Sequence, residues 1–409
     1  LYFNFETFDK ASGLVALTLL DSAFDGNGGD GVDFDVDSYS GSAIVATLTA
    51  TNSTFTGNGD DGLNADFYSG GVNGGTSSKM TATVTIEDVT ANDSDDDDGV
   101  DIAFRAYYGG QTKGTATLTD VTANNNDSDG IVLTVDSYDQ SGGTYSYANG
   151  SFTLTGAAAS GNDDGLIFYV QAEYGAGAYG ALNVTDGTFD ANATNATIDV
   201  YANADGDASA NVNIDDSTFT NATVGQGILI DVDSFNGNSY TDLVLDIGGG
   251  DISGNAGAGI YASQTIDTGY DSAMDIYVNS TTITDNGLDG ISVDAKNENG
   301  VAYMDTSLIL YGVTISGNAG DGVDFPAAGT VPDADVYAEL YIGVNGLTGS
   351  TITKNGGNGV YASGSVTGLG SDGYFEVDVI DSDVTYNNGA GVYVAVSSDT
   401  DATLVSNVY

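Results

Sequence analysis

Histidine, cysteine and tryptophan are absent from the 409 residues, proline occurs twice, and only 6 side chains are basic. Each absence removes a chemistry. Without His and Cys there is no thiol nucleophile, no disulfide, no Cys- or His-based zinc site and no triad built on imidazole. The basic residues stand singly at Lys10, Lys79, Arg105, Lys113, Lys296 and Lys354, against 59 acidic ones that set a formal net charge of -53. Phosphate binding needs clustered Lys and Arg, so no nucleic-acid partner is expected. No apolar run approaches the roughly 18 residues that span a bilayer, and no membrane span is expected. An opening at Leu1 without a charged-then-apolar leader is expected of a processed or excised product.

What remains is rich enough to fold. An acidic chain of low hydrophobicity stays disordered, but this one is 41% hydrophobic and 10% aromatic, enough to fill a continuous core. Few lysines, many Thr, Ser and Asn, and Asn-x-Ser/Thr sequons such as those at Asn52, Asn183, Asn192 and Asn279 fit an extracellular or cell-surface protein.

Repetition decides the fold class. A phrase Asn-x-x-Asp-Gly-[Val/Ile/Leu] returns along the chain, its glycine falling at Gly31, Gly62, Gly99, Gly130 and Gly165, then at Gly227, Gly259, Gly290, Gly322, Gly359 and Gly391. Between the two groups lies a degenerate copy, aligned at Thr197. The period is about 32 residues. After each glycine apolar residues alternate, as in Val32, Phe34, Val36 or Ile131, Leu133, Val135, the period-two mark of a strand with one buried face. A second strand precedes the motif, and Phe24, Phe55, Ile252, Ile283, Ile315, Ile352 and Val384, seven residues before the glycine, are set to stack in an interior column. Parallel crossovers of this kind are right-handed.

The expected fold is therefore all-β: a right-handed parallel β-helix (β-solenoid) of about 12 coils of ~32 residues, without terminal caps, forming a single domain over 1–409. An asparagine four residues before the glycine recurs at Asn27, Asn58, Asn126, Asn255, Asn286, Asn318, Asn355 and Asn387. Its amide can bond the equivalent amides above and below, which predicts a structural Asn ladder. The coil phrase, as in STFTGNGDDGL and VTISGNAGDGV, resembles the right-handed parallel β-helix repeat family, pectate-lyase-like β-solenoid surface proteins among them. The resemblance covers nearly the whole chain and implies the fold. It leaves activity open, since that family hosts lyases, hydrolases and rods without catalysis.

Aspartate precedes the glycine at Asp30, Asp61, Asp98, Asp129 and Asp164, five coils running. Unit charges about 4.8 Å apart repel by roughly 0.9 kcal/mol in water and by more near an apolar surface. A shared Ca²⁺ would relieve that repulsion, with Asp101 and Asp33 as supporting oxygen ligands. The alternative is that these carboxylates only satisfy turn backbone and stay hydrated.

Catalysis has one pointer, Arg105 on the strand that follows Asp98 and Asp101, but acidic residues lie everywhere and a close pair arises by chance. Tyr39, Tyr107, Tyr138 and Phe235 stand eight residues after the glycine, either capping the strand ends or forming a ridge for contact with sugars or another protein. The expectation is a chain that is not an enzyme but an extracellular filament subunit, with an adhesin or glycan-binding surface module as the alternative and a polysaccharide lyase or hydrolase as the third reading. Polymerisation is expected to be head-to-tail with itself: Leu1, Phe3, Phe5 and Phe8 supply the second half of a coil, and Leu404, Val408 and Tyr409 the first half of another.

Overall fold

Residues that alternate apolar and polar, punctuated by Gly, Asn and Asp, make short strands and turns rather than helices. The computed structural model describes residues 1–71, 77–140, 145–298, 302–343, 347–368, 370–398 and 403–408. Among the described residues there is no helix. Each coil opens with a strand directly after the motif glycine, such as Val32–Tyr39, Leu63–Gly70, Val100–Tyr107 and Ile131–Tyr138, and these form what we call the motif sheet. A second long strand follows, such as Ala43–Thr54, Lys79–Thr90 or Gln111–Thr119, and most coils add a three-residue strand such as Thr122–Asn124.

Equivalent strands pair in parallel and in register, so that Leu63 lies opposite Val100 and Val100 opposite Ile131. The fold is a parallel β-solenoid of the right-handed β-helix type with about twelve turns.

The chain divides into two compact units, one of Leu1–Ala193 with Asp205–Asn211 and one of Thr194–Ala204 with Val212–Tyr409. The first fills its core with phenylalanine: Phe3, Phe34, Phe67, Phe104, Phe152 and Phe168 run ring against ring at centroid distances of 5.3, 5.8, 5.7, 5.1 and 5.9 Å. The second relies on aliphatic columns, with Ile252, Ile283, Ile315 and Ile352 in successive register and all fully buried.

The motif glycine is demanded by close approach. A Cβ on Gly62 would come within 2.5 Å of the Gly99 carbonyl oxygen, and one on Gly322 within 2.5 Å of that of Gly359. Any side chain there would force the coils apart.

The Asn ladder is present in both units, with members the motif spacing does not select. In the first, Asn126 donates to Asn162 at 3.1 Å and Asn162 to Asn192 at 3.0 Å, although Asn162 and Asn192 each stand three residues before the glycine position. In the second, Asn255, Asn286, Asn318, Asn355 and Asn387 bond in turn at 2.9 to 3.0 Å. Asn27 donates to Asn58 at 2.9 Å, but the next rung is Ser94, and there the Asn58 Nδ2 and the Ser94 Oγ are both buried with no partner among the described residues. The degenerate copy aligned at Thr197 is corrected by register: Ala196 lies opposite Ile228, which puts Asn195 rather than Thr197 in the glycine place of Gly227. Its side chain compensates for Ala222, which occupies a rung, by donating to Asn255 at 2.9 Å.

Of the residues expected at a polymer joint, Phe3 and Phe5 pair with Phe34 and Val36, and Phe8 stacks on Tyr39 at 5.1 Å. The Leu1 ammonium donates to the Gly31 carbonyl at 2.6 Å. Leu404 and Val408 lie on strand Thr403–Val408, opposite Gly373 and Val377, and Tyr409 lies outside the described residues.

Candidate functional site: a carboxylate face around Arg105

On the motif strands every second side chain points out of the coil, and in the first unit those positions are acidic on strand after strand. Asp33, Asp35 and Asp37 alternate along Val32–Tyr39, each half-buried. In-register pairing sets Asp35 beside Asp66, and Asp33 in one row with Asn64 and Asp101. Arg105 lies between Tyr68 and Asp136 in the next row. Four strands thus assemble one cation among many carboxylates.

Arg105 Nη1 bonds Asp66 Oδ2 at 2.6 Å, with the two side chains 32% and 25% exposed, so the pair is shielded on both sides. Burial alone would lower the guanidinium's pKa, yet Asp66 and Asp101 hold it above its ordinary value. Burial pushes the Asp101 carboxyl up to about 7 although Arg105 opposes the shift. Asp66 is raised by burial against the same arginine, and Asp136 by burial against the hydrogen bond it accepts from Tyr107 and the charge of Arg105. Asp33 rises to about 7 through burial and then through Asp35 and Asp30, and Asp37 to about 7 through burial and then Asp66, Asp35 and Glu6.

Asp33, Asp37 and Asp101, each pushed up to about 7, are thus poised near neutral pH, where general acids and bases work best. Three carboxyls of this face have an oxygen that is buried and accepts no hydrogen bond among the described residues: Asp33 Oδ1, Asp66 Oδ1 and Asp101 Oδ1. Such acceptors need a donor from elsewhere.

Aromatic rings border this face. Phe8, Tyr39, Tyr68, Tyr107, Tyr138 and Tyr174 follow one another at centroid distances of 5.1, 5.4, 5.3, 5.8 and 4.9 Å. Tyr108 also packs against Tyr138 at 5.5 Å. The rings cap one another along the strand ends, and Tyr108 and Tyr174 stay 37% and 40% exposed.

The aspartates before the motif glycine do separate work. Each accepts the backbone N–H of its counterpart one coil on: Asp30 from Asp61 at 3.1 Å, then Asp61 from Asp98, Asp98 from Asp129 and Asp129 from Asp164, all at 2.9 Å. Turn satisfaction, one of the two alternatives, is thus in place. Asp33 and Asp101 are not in this column; three residues further on, they face outward on the motif sheet. Asp61, Asp97 and Asp98 each bring a carboxylate oxygen within 4.8 Å of the others. Burial pushes Asp61 up to about 8, with Asp97 and Asp101 adding to it, and Asp98 up to about 6 against the Asp129 N–H that lowers it. With one oxygen of Asp61 and of Asp98 held by backbone, each has a second hard oxygen to offer, a donor set that fits Ca²⁺ or Mg²⁺.

The motif spacing led to Arg105 and Asp101 but not to Asp35, Asp37, Asp66 or Asp136. Their only sequence signal is the alternation of acidic residues on the outward positions, as in VDFDVDSY.

No family model and no curated protein sequence matches the chain. Solved structures that it resembles include a double mutant of the periplasmic alginate epimerase AlgG, at 11% identity and a TM-score of 0.41, covering 99% of this chain and 84% of the other. AlgG itself matches at 12% identity and 0.40, covering 88% and 77%. The A-module of the Azotobacter vinelandii mannuronan C-5 epimerase AlgE6 matches at 10% identity and 0.32, covering 90% of each chain. The expectation of a chain that is not an enzyme is not upheld, since the solved structures it resembles are epimerases, and at these scores the likeness shows the fold and no activity of this chain. The chemistry therefore rests on the site's own geometry.

Proposed function

We propose that the outward face of the motif sheet in the first unit binds an extended glycan and handles protons on it, with Arg105, Asp66 and Asp101 at the centre. The observation that carries this reading is the pair of buried, unpartnered oxygens on Asp66 and Asp101, the two carboxyls that act most on Arg105. Sugar hydroxyls donate hydrogen bonds in series along a chain, and flat rings such as Tyr108 and Tyr174 suit the faces of pyranoses. A neutral glycan fits better than a polyuronate, because the rows of carboxylates repel anions. Asp101, poised near 7, would give or take the proton, and Arg105 would steady the charge left behind.

Extracellular or periplasmic placement accords with such a substrate. A Ca²⁺ ion at Asp61, Asp97 and Asp98 would neutralise the turn beside the face and supply rigidity. The test is incubation of the full chain with a panel of neutral and acidic polysaccharides, following binding and product release, beside Arg105→Ala and Asp101→Asn. Binding of a neutral glycan that both variants lose supports the reading; equal behaviour of the variants, or no glycan bound, ends it.

A further inference from the structure

The second long-strand sheet of the first unit presents a face of a different kind. Its outward positions fall into register on five successive strands as Thr18, Thr49, Thr85, Thr117 and Thr153. The row beside it reads Thr47, Thr83, Thr115 and Ser151, and on the other side Thr51, Thr119 and Thr155 lie in one row with Glu87. Parallel pairing without a slip sets these side chains on a rectangular grid of about 4.8 Å between strands and about 6.6 Å along them. All are exposed or half-exposed. Among the described residues, none of their hydroxyls hydrogen-bonds to the protein.

Acidic side chains are scarce on this grid, although Lys79 and Lys113 stand exposed on the same face in the next two rows on one side of it. In a chain with 59 acidic residues, Glu87 is the single acidic side chain in these three rows. The equivalent strands of the second unit carry Asp242 and Asp246, Asp271 and Asp275, and Glu339 and Glu376. β-Propensity accounts for threonine on an exposed strand, but it does not account for acids being excluded from one face and admitted on its counterpart.

We infer that this face binds crystalline ice. The prism plane of hexagonal ice sets its oxygens on a rectangular grid whose short repeat is near the strand spacing and whose long repeat is near the two-residue step. Threonine hydroxyls at those points join the lattice by hydrogen bonds, and the methyl groups between them order the intervening water. A charged side chain would be stranded against a lattice that excludes ions, which is why the run of threonine rows with Glu87 as their single charge matters. The occupant is periodic, as the grid is.

The experiment grows a polycrystalline ice hemisphere slowly from a dilute solution of the full chain and measures the protein taken into the ice. Thr117→Tyr places a bulky ring at the centre of the grid on an exposed position. Asp275→Asn alters the matching sheet of the second unit, and melting curves verify that both variants fold. The native chain and Asp275→Asn are expected to enter the ice, and Thr117→Tyr to fall at least about tenfold, a loss of roughly 1.4 kcal/mol of binding. Exclusion of the native chain from ice, as for an ordinary solute, overturns the inference. So does full retention by a folded Thr117→Tyr, or adsorption to crystalline cellulose or chitin in place of ice.

Discussion

Each unit is built from the same kind of coil, yet the two put different chemistry on the outward face of their long strands. Outward positions of the long strands include Thr83 and Thr85, then Thr115 and Thr117, beside Lys79 and Lys113 in the first unit; in the second they include Asp242 and Asp246, then Asp271 and Asp275. Inside, the first unit stacks phenylalanines and the second stacks isoleucines. A parallel coil constrains only the inward half of each strand and the turn glycine, so the outward half is free to vary. Function can therefore be written on one face without disturbing the fold.

The largest effect that would separate the units lies in their cores. Phe104 touches Phe67 and Phe152 and is fully buried, so Phe104→Ala should destabilise by about 3–5 kcal/mol in denaturant unfolding. Ile283→Val, in the second unit's column, should cost only about 0.5–1.5 kcal/mol. A loss for Phe104→Ala as small as that of Ile283→Val would mean that the ring stack does not hold the first unit's core.

Arg105→Ala comes next. It leaves Asp66 and Asp101 shielded without their cation, and partial exposure reduces the cost of a fully buried break to about 2 kcal/mol. That loss should shrink at pH 5, where the orphaned carboxyls take up protons, and grow at pH 8. A loss independent of pH would show that packing of the side chain, and not its charge, was removed.

Acidity should act on the whole carboxylate face. Asp33, Asp37, Asp101 and Asp129 sit at about 7 and Asp61 at about 8, each above its ordinary value because burial disfavours the charge. The folded state then holds more protons than the unfolded one between about pH 4 and pH 8, so stability is greatest at the low end and falls as pH rises through that window. Thermal melts at constant ionic strength with EDTA should give a higher Tm at pH 5 than at pH 8. Calcium at about a hundred times its Kd should restore roughly 2.7 kcal/mol at pH 8 if Asp61, Asp97 and Asp98 hold it; a Tm unmoved by calcium would leave those carboxylates with turn satisfaction alone.

The smallest effect is a repair. Ser94→Asn should reconnect Asn58 to Asn126 and stabilise the first unit by about 1 kcal/mol, matching the continuous ladder that runs from Asn255 to Asn387 in the second.

How much of this could be read from the chain alone follows from what repeats. The motif glycine repeats because a backbone carbonyl fills its Cβ space, so spacing sufficed for the fold. Arg105 and Asp101 were visible as neighbours, but Asp66 lies 39 residues from Arg105, and only the register of strand Leu63–Gly70 against Val100–Tyr107 joins them. Unpartnered oxygens have no sequence signature at all. The threonine grid is spelled in TATVT and TATLT, yet threonines become rows only once those strands are paired without a slip. Asn195 stayed hidden because it fills a glycine place while serving a rung that Ala222 cannot.

Carboxyls that keep their protons around one arginine are read directly by carboxyl carbon NMR of the full chain labelled at aspartate Cγ, with Asp101→Asn assigning its resonance by difference. Asp101 should titrate near 7, move higher in Arg105→Ala, and shift again when a bound glycan donates to its free oxygen. An Asp101 resonance that titrates near 4 and ignores both the arginine and the glycan would contradict this reading of the site.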